Sequence, residues 1–246
     1  MTWPAQIAAW RQIAEIEGED LPVDLVLAVI QAESGGTAGV KSRQTTHPAT
    51  VGGKKLQNAY GLMQVTPRLI AAWNSQVKDP LVTLADLEGT DERAARVQVR
   101  IGASYLRNQF ARLANYHPTF LNDPMAASLD QTALSLAAYR MGWFGLRQKL
   151  DELQAVGQPL TWRSIAERWP TWGTVNGSQP NKPIYYVDRV MRADLAQGEP
   201  QPQIATTPSR APELAAAAQG NLFPIFAVVL AFAAAYLRSK GYVLWS

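Results

Sequence analysis

The sequence predicts an all-α protein with room for one minor β-hairpin, followed by a C-terminal transmembrane helix. Three observations carry this prediction. Apolar residues recur at helical spacing along most of the chain, as at Val97, Ile101, Leu106 and Leu113. Strand-like alternation is absent outside a polar, turn-rich stretch at Thr37–Gln57. Near the carboxyl end, Leu222–Leu237 reads LFPIFAVVLAFAAAYL, sixteen residues without a charge.

The elements follow in order. Thr2–Glu17 sets Ile7, Trp10, Ile13, Ala14 and Ile16 close to helical spacing. Pro22–Ser34 starts at Pro22 and Asp24 and stops at the paired Gly35 and Gly36, a helix start and a C-cap signal. Thr37–Gln57 carries Lys41, Arg43, His47-Pro48, Gly52-Gly53 and Lys54-Lys55, the composition of a surface loop or short hairpin. Pro67–Gln76 is a short helix and Asp91–Ala114 a long amphipathic one. Pro124–Tyr139 is rich in Ala and Leu, and Trp143–Val156, Thr161–Trp169 and Tyr185–Ala196 complete a domain spanning residues 1–195. Residues 196–220 are rich in Pro, Ala and Gln and read as a linker. The span at 221–237 approaches the length that crosses a bilayer, and Arg238, Lys240, Tyr242 and Trp245 in the tail at 238–246 form an interfacial anchor pattern. A buried helix or a re-entrant segment is the alternative.

Composition removes several chemistries. The 246 residues include no cysteine, so no disulfide framework, thiol nucleophile or Cys-based zinc site is expected. His47 and His117 lie far apart and each precedes Pro, which argues against a metal cluster or a Ser-His-Asp triad. Gly52-Gly53-Lys54 lacks the spacing of a phosphate loop. The net charge of +3 is spread along the chain, so nucleic acid is not an expected partner. An anionic polymer fits the charge at least as well. No cofactor and no metal are expected.

Glu33 is the only charged residue between Leu25 and Gly36. It follows Val29 by four residues and Ile30 by three, and so shares their face. Burial and the negative end of the helix dipole both disfavour its ionised form. A Glu protonated near neutral pH is what a general acid needs. An exposed Glu at a frayed helix end remains the alternative from this segment alone.

Further blocks follow in the chain: Asn58-Ala59-Tyr60-Gly61-Leu62-Met63-Gln64-Val65-Thr66-Pro67, then Gln98-Val99-Arg100-Ile101-Gly102-Ala103-Ser104-Tyr105-Leu106, then Ala137-Ala138-Tyr139-Arg140-Met141-Gly142, then Tyr185-Tyr186-Val187-Asp188-Arg189-Val190. With Glu33-Ser34 in front, their order resembles that of the lytic transglycosylases with a lysozyme-like, soluble-transglycosylase catalytic domain. The resemblance covers roughly residues 5–195. It implies a lysozyme-like fold and peptidoglycan glycan strands as substrate. It also implies cleavage of the β-1,4 bond between N-acetylmuramic acid and N-acetylglucosamine, closing a 1,6-anhydro ring, with Glu33 as acid and then base.

Supporting roles implied by the resemblance fall on Ser34, Gly61, Met63, Gln64, Tyr139, Arg140 and Tyr186 as substrate-binding or acid-flanking residues. Each of these also fits core packing, Met63 most of all. One or two of Trp143, Trp162, Trp169 and Trp172 are expected to stack on sugars. Two departures stand out. The gap between Glu33 and Gly61 exceeds the family's usual length, and Arg140 replaces the family's Asn, with Met141 in place of its Ala. Arginine cannot accept a hydrogen bond, whereas Asn donates and accepts, so the sugar contact at Arg140 must change.

The amino terminus shows no charged start or apolar core of an export signal. The expectation is a membrane-anchored enzyme acting in the periplasm or cell wall, with a bacteriophage product delivered in a virion as the setting that suits it. Two other functions stay open: a goose-type-lysozyme-like hydrolase that uses water, and a non-catalytic virion or membrane protein that grips peptidoglycan.

Overall fold

The computed structural model describes residues 2–42, 58–77, 81–172 and 182–197. All of them belong to one compact unit, Met1–Glu199. Among the described residues ten helices are formed: α1 (Ala5–Ala8), α2 (Arg11–Glu17), α3 (Val23–Ser34), α4 (Pro67–Gln76), α5 (Leu84–Glu88), α6 (Glu92–Tyr116), α7 (Leu129–Met141), α8 (Trp143–Ala155), α9 (Trp162–Arg168) and α10 (Lys182–Gln197).

The long helix α6 runs through the interior. Val99, Ala103, Leu106, Phe110 and Leu113 are fully buried along it, and α2, α4, α5 and α7 pack on its faces. Asp91 caps its start by accepting from the Ala94 amide at 2.8 Å. Helix α3 is buried on nearly every side from Asp24 to Ile30, which explains why its sequence shows almost no polar face. It packs against α1, α2 and α10, and α10 also lies along α7. That shared neighbour brings the ends of α3 and α7 together.

Local chemistry explains where the helices depart from the sequence expectation. The predicted first helix is two, because the chain breaks at Ala9 and Trp10 and the Trp10 indole donates to the Gly36 carbonyl at 2.8 Å. Helix α5 was not predicted. Its start is fixed by Asp86, whose Oδ2 accepts from both the amide and the hydroxyl of Thr83, at 2.8 and 2.7 Å. Helix α7 begins later than Pro124, where the Ser128 side chain accepts from the Gln131 amide. Gly142, at φ 85°, is the single residue between α7 and α8 and lets the chain leave one and enter the other.

Two expectations are corrected. No strand forms among the described residues; only isolated bridges, Lys41 with Tyr60 and Tyr60 with Val65, are present. Most of the predicted hairpin stretch, residues 43–57, lies outside the described residues. Among the described residues no helix is long and apolar enough to cross a membrane, so the described fold is corrected to all-α without a transmembrane helix. Residues 221–237, to which that helix was assigned, lie outside the described residues.

Candidate active site

The site assembles around the carboxyl end of α3. Gly35, at φ 62°, and Gly36, at φ 82°, end the helix immediately after Glu33 and Ser34. The Ser34 hydroxyl donates back to the Ile30 carbonyl at 3.0 Å and accepts from the Gly36 amide at 3.2 Å. Ser34 therefore shapes the helix end and leaves the Glu33 carboxylate to other partners.

The Glu33 side chain is only 6% exposed. Burial raises its pKa above the ordinary 4.5, while Arg140, the Tyr186 hydroxyl and Arg189 partly oppose the shift. Arg140 Nη1 reaches Glu33 Oε2 at 3.4 Å, and its guanidinium carbon lies 5.5 Å from the centre of the Tyr186 ring. The Tyr186 hydroxyl sits beside Glu33 but closes no hydrogen bond of ordinary length and angle with any described residue. The phenols of Tyr139 and Tyr186 are both pushed well above their usual pKa, first by burial and then by the neighbouring Glu33 carboxylate. Tyr139 and Tyr186 thus wall the acid with neutral phenols.

Other buried acids provide contrast. Glu17 is held ionised by hydrogen bonds from Arg100 at 2.6 Å and Arg96 at 3.4 Å, and its pKa is lowered. Asp24 accepts from the Trp3 indole and from Arg11, each at 2.7 Å. Both acids are committed to structural ion pairs.

The Gly-Leu-Met-Gln block forms a tight turn. Tyr60 and Val65 exchange two backbone hydrogen bonds across it, at 2.9 and 2.8 Å. Gly61, at φ 75°, is buried against Gln98; a Cβ there would lie 2.4 Å from the Gln98 Cδ. The close approach it permits is therefore to a protein side chain, and this replaces the expectation of a glycan against Gly61. The Met63 side chain is fully buried against Gly102 of α6, so the expectation that it lines a groove is corrected to core packing. Its carbonyl accepts from the Tyr139 hydroxyl at 2.6 Å. Gln64 is partly exposed and takes a left-handed backbone, φ 52°. Its amide nitrogen donates to the Val40 and Gly61 carbonyls, at 3.2 and 3.0 Å, which holds that conformation.

The structure therefore brings Glu33, Tyr139, Arg140 and Tyr186 together, with Gln64 on the adjoining turn, and assigns Ser34, Gly61 and Met63 to the scaffold. Three residues carry no expected role in the sequence reading. Gln98, buried in α6, accepts from the Leu62 amide and donates to the Leu87 and Gly89 carbonyls, locking the turn to α5. Its signal was a polar residue on an otherwise apolar helix face. Arg189 acts on Glu33 from α10. Phe144, 82% exposed four residues after Arg140, is the open aromatic on this part of the chain. Trp143, Trp162, Trp169 and Trp172 are instead partly buried against the core. Among the described residues no group of acids and histidines could hold a metal ion.

Residues 11–158 match the family described as the transglycosylase SLT domain. The chain belongs to this family. Its members are lytic transglycosylases of the lysozyme-like superfamily, acting on peptidoglycan. No curated protein matches the chain. The SLT match takes in α2 through α8, and so Glu33, the Gly61–Gln64 turn, Tyr139 and Arg140. It ends before α10, so Tyr186 and Arg189 reach Glu33 from outside the matched segment.

Proposed function

We propose that Glu33 is the single acid–base residue of a lytic transglycosylase that cuts the β-1,4 bond between N-acetylmuramic acid and N-acetylglucosamine. The carrying observation is the enclosure of the Glu33 carboxyl, 6% exposed, at the helix end where burial raises its pKa. Protonated Glu33 gives its proton to the bridging oxygen, the glycosidic bond breaks, and positive charge develops at C1 of the muramyl ring. The ionised Glu33 then takes the proton of the muramyl C6 hydroxyl. That oxygen bonds to C1, leaving a 1,6-anhydro end and a restored acid.

Glycosidases of the usual kind place two carboxylates across the bond. The groups acting on Glu33 here are two arginines and a phenol, which favours a scheme in which one carboxyl serves both steps. The Gln64 carbonyl oxygen has no hydrogen-bond partner among the described residues, and its edge-of-turn position suits a sugar hydroxyl.

Two measurements test the proposal. Glu33→Gln should reduce release of fragments from purified sacculi by several orders of magnitude while sedimentation with sacculi persists. Mass spectrometry of the parent digest should show muropeptides lighter by one water than hydrolysis products. Fragments carrying the added water would replace the proposal with a lysozyme-like hydrolase. Undiminished cleavage by Glu33→Gln would remove Glu33 from the chemistry.

A further inference from the structure

We propose that Arg140 is a carboxylate-reading residue: it rests on Glu33 in the free protein, and a carboxylate carried by the muramyl unit of the glycan draws it away, leaving Glu33 an isolated buried acid. The inference rests on Glu33 being the acid of the proposed function. It adds the substrate feature that Arg140 selects.

The contact between the two is loose. Arg140 reaches Glu33 through one nitrogen at 3.4 Å, whereas Arg100 meets Glu17 at 2.6 Å and Arg11 meets Asp24 at 2.7 Å. Charge-assisted pairs of good geometry lie near the shorter values. A guanidinium has five N–H donors, and no other described residue accepts from Arg140. The exposures differ as well: the Arg140 side chain is 42% exposed and that of Glu33 is 6%. The cation is thus half exposed with most of its donor fork unused, beside an acid that solvent hardly reaches. The Tyr186 ring beneath the guanidinium gives it a second resting contact that survives loss of Glu33.

The occupant follows from the same geometry. A planar fork on the rim of a glycan site matches a carboxylate bidentately. In peptidoglycan, carboxylates are carried on the muramyl lactyl arm when it bears no peptide, and on the stem peptide when it does. Among the described residues no carboxylate other than Glu33 pairs with Arg140. From α10, Tyr186 and Arg189 face Glu33; from α7, Tyr139 and Arg140 do so. On α2, Glu17 is tied to Arg96 and Arg100, and α1 has no ionisable residue. Once Arg140 turns to the substrate, one opposing influence on Glu33 is withdrawn and the carboxylate takes a proton from solvent. Binding of the anionic substrate thereby prepares the acid.

The test compares four substrates: glycan strands stripped of peptide, whose lactyl arms end in carboxylates; the same strands capped as methylamides; intact sacculi; and intact sacculi with their peptide carboxyls capped likewise. The parent chain should show kcat/KM about tenfold to a hundredfold higher on a free-carboxylate substrate than on its capped counterpart. A preference on stripped strands assigns the lactyl carboxylate, and one confined to sacculi assigns the peptide. Arg140→Asn should bring the ratio close to one, while Arg140→Lys keeps part of it. On capped strands the alkaline limb of the pH profile should move to higher pH in Arg140→Asn, a shift that a merely structural role would not produce. Equal cleavage of free and capped substrates by the parent chain overturns the inference and leaves Glu33 in place, and this comparison needs no variant. An Arg140→Asn chain that keeps the full ratio also overturns it. Failure of the parent to cleave any of the four would sink the proposed function itself.

Discussion

At the scale of the residue, Glu33 is held at a cost to the fold. Its folded-state pKa lies above 4.5 because burial disfavours the anion. The unfolded chain therefore ionises first as pH rises. Below the unfolded value both states are neutral and Glu33 contributes nothing; above it the native state is penalised, and the penalty levels off beyond the folded pKa. Glu33→Gln should accordingly be as stable as the parent in acid and more stable above neutral pH, with a gap that opens between the two limits. Thermal melts of both chains across that range would show it. A variant less stable than the parent at high pH would mean that the ion pair with Arg140 outweighs burial. In the proposed function the same acid must be protonated to act, so activity on sacculi should persist above the pH at which a free Glu ionises and fall as pH climbs further.

At the scale of the element, the site is held by contacts between α6 and the turn at Tyr60–Val65. Gly102 lies against Met63, where an added Cβ would come within 2.4 Å of the Met63 Cβ. Gly102→Ala should cost about 1–3 kcal/mol, read by denaturant unfolding. It should also lower activity, because Met63 carries the carbonyl that positions Tyr139. Helices α2 and α6 are joined through Glu17, whose pKa Arg100 and Arg96 hold below 4.5. A carboxyl with a depressed folded pKa gives stability that is present above the unfolded value and lost as pH falls through the folded one. The melting temperature should drop in acid, and Glu17→Gln should flatten that dependence.

These contacts also mark what could be read beforehand. Helix faces and most helix ends were legible, because burial follows apolar spacing and ends follow Pro, Gly and capping residues. The burial of Glu33 was legible because a lone charge in an apolar run shares the face of its apolar neighbours. The roles of Gly61 and Met63 were not. Whether a glycine makes room for a ligand or for Gln98 depends on residues thirty-seven positions away in the chain, and local pattern carries no trace of that pairing. The outward turn of Phe144 and the inward packing of the late tryptophans are likewise decided by tertiary neighbours.

At the scale of the whole molecule, every described core residue lies within Met1–Glu199. A chain ending at Glu199 should unfold in one cooperative transition within a few degrees of the full chain, and should keep its activity on purified sacculi. Calorimetry and a sacculus assay on the two chains would check this. A large loss of stability would show that residues beyond 199 support the fold.

Helix α10, sixteen residues long, supplies one wall of the Glu33 enclosure, and it is the last described element to leave the ribosome. Without it the Glu33 carboxyl lacks its Tyr186 and Arg189 neighbours. Under the proposed function a chain truncated before that helix should be inert, because its acid lacks the burial that favours the protonated form.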